Sequence, residues 1–309
     1  MKVLITGGAG YLGSELTRLL ARRDDVDRVL VYDNLSRGNH NLLLVHGGER
    51  LAKASLVRGD ILDSRRLRAV LKDVDVVFHL AARVTTPFSD RDAHLFEQAN
   101  HWGTAELVAA IEDSGVARLV FVSSAAVYGY ADAPVDTRTP PNPKTYYAES
   151  KLRAERQCER LAQRLSLAIV RSANVYGFSD SMRFDAVINR FMIAAHLGEP
   201  MTVQGSGTQV RPFVHVDTAA ASLAALVDPI RGDGLFDLVE QTLSINEITE
   251  AVRTVYPETD SLYIAQHIEA RHLRVNQDLA LNRQLGLPQA PLTTHLADFA
   301  ARLALAPAR

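Results

Sequence analysis

A doubly wound α/β fold, with a parallel sheet between two helical layers and a smaller C-terminal part, follows from three features of the sequence. Short β-rich runs alternate with amphipathic helical patterns through the first half of the chain. The first run, residues 2–5, passes through the turn Thr6-Gly7-Gly8-Ala9-Gly10-Tyr11-Leu12-Gly13-Ser14 directly into a helical pattern. The second run ends on a carboxylate, Asp33, which lies 20 residues beyond Gly13.

The β-rich runs fall at 3–6, 28–32, 56–58, 74–79 and 118–123, with a sixth at 167–171. Helical patterns, with apolar residues near a spacing of 3.6, fall at 12–22, 64–72, 93–114 and 147–165. Alternation of this kind implies parallel strands covered on both faces. The expected division is a large cofactor-binding domain at 1–171 and a smaller substrate-binding domain at 172–309, with about 211–227 returning to the large one. No internal repeat or low-complexity segment interrupts the pattern.

The 309 residues, 47% of them apolar, suffice to bury a sizeable core. Charges nearly cancel, 34 basic against 36 acidic, and no block of like charge marks a nucleic-acid partner. The single cysteine, Cys158, has no internal disulfide partner, and no Cys/His cluster has metal-ligand spacing, so no metal is expected. Neither a signal-like apolar segment nor a run near the ~20 residues of a membrane span occurs. A cytoplasmic location without membrane contact is the expectation.

Glycines spaced three apart, Gly7, Gly10 and Gly13, suit a backbone that passes close to a pyrophosphate, with the N–H groups of the following helix facing the anion. Tyr11 and Leu12 complete that turn. A carboxylate at the end of the second strand accepts both ribose hydroxyls of an adenosine and repels a 2′-phosphate, so Asp33, with Asn34 beside it, favours NAD over NADP. Arg37 nearby would tolerate a phosphate, and Asp33 reads also as an ordinary turn residue. Asp60 and Ile61, after the third run, fall where an adenine would rest; Asp60 reads equally as a helix cap. Leu80, Ala81 and Ala82 close the fourth run with side chains small enough for close passage beneath a flat ligand, or simply for packing. His79 reads as a hydrogen-bonded core residue and Trp102 as core or interface. Asn100 interrupts an apolar helical stripe, and a buried amide needs partners, either near the cofactor or between helices.

The fifth run ends in Ser123-Ser124-Ala125-Ala126-Val127-Tyr128-Gly129, which brings hydroxyls to the C-terminal edge of the sheet, where such folds bind ligands. After a proline-rich loop, Tyr147 and Lys151 stand four apart on a predicted helix and so share one face. A phenol is mostly protonated at neutral pH, and a neighbouring ammonium favours the phenolate. Tyr147 thereby becomes a proton acceptor for an alcohol from which hydride departs, with Lys151 as its charge and Ser124 as a hydrogen-bonding partner of the same oxygen.

With these motifs the chain resembles the extended short-chain dehydrogenase/reductase family, in its branch of NAD-dependent epimerases and dehydratases such as the UDP-glucose 4-epimerases. The resemblance rests on T-G-G-x-G-x-x-G at Thr6 to Gly13, Asp33, G-D-I-x-D at Gly59 to Asp63, H-L-A-A at His79 to Ala82, S-S-x-x-V-Y-G at Ser123 to Gly129, and Y-x-x-x-K at Tyr147 to Lys151. It implies a Rossmann fold, NAD as cofactor, a nucleotide-sugar substrate and a homodimer in which the helices at 93–114 and 147–165 pair across a twofold axis. Two further segments match. Arg171-Ser172-Ala173-Asn174-Val175-Tyr176-Gly177 resembles the segment whose asparagine, here Asn174, faces substrate; the segment from Gly205 to Asp217 resembles one whose arginine, here Arg211, contacts the nucleotide diphosphate.

Two departures shape the functional expectation. Dehydratases and decarboxylases of the family tend to carry an acidic residue two positions after the active serine; that position here is Ala126. A 4-epimerase, which only removes and returns hydride, needs Ser124, Tyr147, Lys151 and NAD, and this is the leading expectation; net oxidation or reduction of a sugar or other hydroxyl compound is the alternative. Where relatives often carry R-x-x-D before an L-G-x-x-P segment, this chain has Gln266-His267-Ile268-Glu269 before Leu285-Gly286-Leu287-Pro288.

Overall fold

Strand side chains alternate between faces, and that alternation sorts the apolar residues into two layers. The structure is a computed structural model that describes residues 1–38, 40–44, 51–84, 93–265 and 271–305. In β1 (Lys2–Thr6), Val3 and Ile5 enter one layer and Leu4 the other. The strands β2 (Arg28–Asp33) and β3 (Ala54–Arg58) extend the sheet on one side of β1; β4 (Val76–His79) and β5 (Arg118–Ser124) extend it on the other. After the short β6 (Ala131–Val135), β7 (Ser166–Ser172) pairs with β5. The chain leaves the sheet for β8 (Asn174–Tyr176), β9 (Met201–Gln204) and β10 (Val210–His215), then returns through β11 (Gly234–Leu238) beside β7. Seven parallel strands therefore run β11-β7-β5-β4-β1-β2-β3, with the order reversing between β1 and β4. A crevice opens at such a reversal, at the C-terminal ends of the strands.

On the Val3 face, α1 (Tyr11–Ala21) packs Leu16 and Leu20. On the Leu4 face lie Leu67 of α2 (Ser64–Val70), and, beyond the short α3 (Ala93–Phe96), Leu107, Val108 and Ile111 of α4 (Gly103–Glu112), then Ala154 and Cys158 of α5 (Tyr146–Glu159). A third apolar cluster forms the C-terminal part. It gathers Phe191 of α6 (Val187–His196), Ile248 of α8 (Ile245–Arg253) and Phe299 of α10 (Leu292–Ala301) around Tyr176 and Phe213. Between them in sequence, α7 (Val216–Ala225) packs on α1, and α9 (Leu281–Gln284) joins the Val3 layer. The last strands are β12 (Gln241–Ser244), beside β10, β13 (Ser261–Ile264), beside β9, and β14 (Leu273–Val275), beside β6.

Three local differences from the sequence reading have physical causes. The helix expected at 93–114 is divided by a π-helical turn, Glu97–Trp102, which carries Asn100 into the interior. The helix expected to run to residue 165 ends at Glu159, where tighter bonds from Leu161 to Cys158 and from Arg164 to Leu161 close the chain into turns. Of the segment 211–227, α7 lies on the large sheet's helical layer, whereas β10 belongs to a small sheet with β8 and β12; β11, at 234–238, is the large sheet's edge strand. Among the described residues no helix is long and apolar enough to cross a membrane, and no group of three or more His, Cys, Asp or Glu side chains could hold a metal ion.

Candidate functional site

Beneath the strand reversal lies a cavity of about 700 Å³ that runs from the glycine turn, past the ends of β2, β4 and β5, to β8 and β10. The turn is shaped by two glycines. Gly7 has φ +72°, a conformation that side chains disfavour, and a Cβ there would stand 2.6 Å from the Ala81 backbone nitrogen. A Cβ on Gly13 would collide with the Gly7 carbonyl oxygen. Gly10 caps α1 without any side chain on the helix N-terminus, leaving that end of the dipole open to an anion. Asp33 is held by its own neighbours: Oδ2 accepts from the Ala9 N–H (3.1 Å) and Oδ1 from the Leu35 N–H (2.8 Å).

Gly7, Gly10, Tyr11, Leu12, Gly13, Asp33, Asn34, Ile61, Leu80, Ala81 and Ala82 all line this cavity. Asp60 and Asn100 do not. Asp60 is exposed and accepts from Asn34 Nδ2 (2.9 Å) and, through its carbonyl, from the Tyr32 hydroxyl (2.7 Å); the cap of α2 is Asp63. Asn100 supports the wall from behind. Its Oδ1 accepts from the Arg83 N–H (2.8 Å), and Nδ2 donates to the Arg83 carbonyl and to Ser150 Oγ, both at 3.0 Å. His79, buried between Thr6 (2.7 Å) and Thr104 (2.8 Å), is pushed down to about 3 by burial and by Lys151, so its ring is neutral. Trp102 is exposed, its ring tilted against that of His101. The Tyr11 hydroxyl donates to the Gly177 carbonyl (2.5 Å), tying the glycine turn to the C-terminal part.

Ser124, Tyr147 and Lys151 all line the same cavity. Thr145 caps α5 by accepting from the Ala148 N–H (3.1 Å), which sets where the helix starts and which face carries Tyr147. Ser124 lies by the Tyr147 phenol and favours its ionised form, and the Tyr147 ring meets Phe96 edge-on. Lys151 is 3% exposed; its Nζ donates to the Val122 carbonyl (2.6 Å) over the Phe121 ring. Burial brings the Lys151 ammonium down to about 8, with Cys158 and Glu155 opposing. Burial likewise raises the Tyr147 phenol, against the hydrogen bond from Ser124 and the guanidinium of Arg183. The Arg183 guanidinium, which sequence reasoning did not bring to this phenol, favours its ionised form.

Behind the site, Glu155 accepts from Ser123 Oγ (2.5 Å) and pairs with Arg171 through two bonds of 3.0 and 2.7 Å, all buried. Asn174 and Arg211 both line the cavity: Asn174 Nδ2 donates to the Pro212 carbonyl (3.0 Å), and Arg211 donates to the carbonyls of Val210 (2.9 Å) and Arg271. The segment 266–269 lies outside the described residues. Sequence reasoning missed the cavity residues Arg83, Arg183 and Asp185, of which the last two form a two-pronged pair at 3.1 and 2.6 Å. Their only sequence signal is a charged pair two apart, which is common on any surface.

The residues present suit a dinucleotide: a side-chain-free cradle at a helix N-terminus, and an oriented carboxylate one strand away. The family model of the NAD dependent epimerase/dehydratase family matches residues 3–235. A putative UDP-glucose 4-epimerase of Methanocaldococcus jannaschii is 34% identical over 72% of this chain and 73% of its own length. A UDP-N-acetyl-alpha-D-glucosaminuronate decarboxylase of Bacillus cytotoxicus is 29% identical over 81% of this chain and 79% of its own. The solved structure of MoeE5 in complex with UDP-glucuronic acid and NAD superposes with a TM-score of 0.81 at 29% identity, over 96% of this chain and 97% of that one. Matched over residues 3–235, the chain belongs to the NAD dependent epimerase/dehydratase family, enzymes of the extended short-chain dehydrogenase/reductase type that use NAD.

Proposed function

We propose that this enzyme is a nucleotide-sugar 4-epimerase, with residues 1–171 as its cofactor-binding domain and the C-terminal cluster as its smaller substrate-binding domain. The observation that carries the reading is the pairing of Tyr147 with Ser124 in the cavity while residue 126, the second position after Ser124, is alanine. Tyr147 accepts the proton of the C4 hydroxyl and gives it back. Ser124 holds the same oxygen, and Lys151, fixed to Val122, places a positive charge under that site. Bound NAD supplies a reversible hydride acceptor. No acid stands at 126 to serve elimination or decarboxylation, which disfavours both and supports hydride return to a ketone formed at C4.

Relatives that act on UDP-sugars support a UDP-sugar substrate. Arg211 would give its diphosphate a charge-assisted contact, and Asn174 would face the sugar. The exposed Trp102 on the α3–α4 segment, alongside α5, supports a homodimer through these helices. Incubating NAD-loaded enzyme with UDP-glucose tests the reading. Formation of the C4 epimer without stoichiometric NADH is expected; one NADH per substrate consumed would make the enzyme a net dehydrogenase instead.

A further inference from the structure

Four residues beyond Lys151, on the face of α5 that carries Tyr147 and Lys151, stands Glu155, which belongs to none of the motifs above. Lys151 donates to the Val122 carbonyl and Glu155 accepts from Ser123 Oγ, so the helix grips consecutive residues of β5 immediately before Ser124. The same carboxylate receives the Arg171 guanidinium through both oxygens, and Arg171 is the register partner of Ser123 on β7. Glu155 therefore spans two adjacent strands one row behind Ser124 and Ser172, both of which line the cavity. Asn174, also on the cavity wall, follows two residues later.

Glu155 and Arg171 are 2% and 4% exposed. Replacing a buried ion pair by apolar side chains of similar size often leaves stability unchanged or raises it, so stability alone does not account for the pair. Its surroundings point to Lys151. The titratable groups around that lysine are Tyr147, Cys158 and Glu155 on α5 and the neutral His79 on β4. Beyond Glu155 lie Arg171 on β7 and, through Tyr128, Asp237 on β11. Burial lowers the Lys151 ammonium to about 8, and Cys158 and Glu155 oppose it. The Cys158 thiol is pushed up by its own burial and is uncharged there, which leaves Glu155 as the anion that favours the ammonium.

We propose that Glu155 is a positioning residue for the reaction: it holds Ser123 and Arg171 in one row behind Ser124, and it sets a buried negative charge one helical turn from Lys151. The proposal rests on the roles given above to Ser124, Tyr147 and Lys151. Glu155 does not line the cavity and acts through these three.

Carbon NMR of lysine labelled at Cε, in NAD-loaded enzyme without substrate, reads the Lys151 titration directly, with Lys151→Met identifying the resonance. Glu155→Gln keeps an acceptor for Ser123 and removes the charge. Its Lys151 midpoint should fall by about one pH unit or more below wild type, as loss of a nearby opposite charge does. The alkaline limb of kcat should move with it, and kcat at its optimum should drop about tenfold or more with KM within a few-fold of wild type. Should this variant fail to fold around an unpaired Arg171, Glu155→Gln/Arg171→Met removes both charges together, and the midpoint should fall there too because Lys151 has lost its anion. A Lys151 midpoint equal to wild type in whichever variant folds would overturn the proposal, since a carboxylate with only a structural role lowers the melting temperature and leaves the lysine unchanged. A shifted midpoint in an enzyme that inverts no C4 centre would sink the epimerase reading and leave the effect of Glu155 on Lys151 standing.

Discussion

Lys151 reaches from α5 to the carbonyl of Val122 on β5, 2.6 Å away, two residues before Ser124. One ammonium thus fixes the helix that carries Tyr147 to the strand that carries Ser124. Lys151→Met removes both the anchor and the charge and should lower kcat by about 10²-fold or more, as loss of electrostatic support does. The wild-type profile should also fall as pH rises through about 8, where the buried ammonium loses its proton. Steady-state rates from pH 6 to 10 check both statements, and a Lys151→Met profile that keeps the same alkaline limb would assign that limb elsewhere.

Tyr147→Phe keeps the ring against Phe96 and deletes only the hydroxyl that meets Ser124. The rate should fall by about 10²–10⁴-fold, the range for loss of a general base, with NAD affinity within a few-fold of wild type. Single-turnover kinetics beside fluorescence titration of cofactor separate the two quantities. Wild-type turnover in this variant would remove Tyr147 from the chemistry.

Gly13→Ala places a Cβ against the Gly7 carbonyl oxygen, and the turn must open to admit it. Overpacking of this kind costs about 1–3 kcal/mol. Both melting temperature and NAD affinity should drop, with the larger loss in the cofactor, because the displaced atoms are those of the cradle.

How much of this was open to sequence reasoning depends on whether the determining contacts are local. The runs in β1 to β5 and β7 were legible, since Val3, Leu4 and Ile5 show the unbroken apolar pattern of a strand covered on both faces. The strand β11 was not: Gly234-Leu235-Phe236-Asp237-Leu238 is a half-polar pentapeptide that earns its place only by pairing with β7. Tyr147 and Lys151 were visible through their spacing, whereas Arg183 reaches the site from a segment with no periodicity to read. The π-helical turn was hidden because the sequence shows it only as one amide interrupting an apolar stripe, and the turn becomes evident in where Asn100 points.

Asn100→Ala would remove the side-chain partner of the Arg83 N–H and carbonyl, while Ser150 Oγ would keep only its bond to the Tyr147 carbonyl (2.8 Å). Each buried group left without a partner costs about 1–3 kcal/mol, and water entering the gap would offset part of this. Urea unfolding should show a loss of stability in that range, and faster hydrogen exchange at Arg83 would locate it. An unchanged midpoint would mean that the amide is dispensable to the wall.

Asp237, buried and accepting from the Tyr128 hydroxyl (2.8 Å), is pushed up to about 6, chiefly by burial, with Tyr128 and Arg171 opposing. Its folded value lies above the unfolded one near 4, so the folded state holds the extra proton in between. The associated stability, on the order of 3 kcal/mol, is complete below pH ~4 and is lost as pH rises through ~6. Asp237→Asn should flatten that decline. Urea midpoints at pH 4.5 and 7 for both proteins give the comparison.

The central claim, hydride removed from C4 and returned to the same carbon, is tested most directly with a UDP-hexose deuterated at C4. Mass and NMR spectra of the product should show the C4 epimer with deuterium retained at C4 and no accumulation of NADH. Deuterium exchanged for solvent hydrogen, or label passed into NADH in proportion to substrate consumed, would contradict the account.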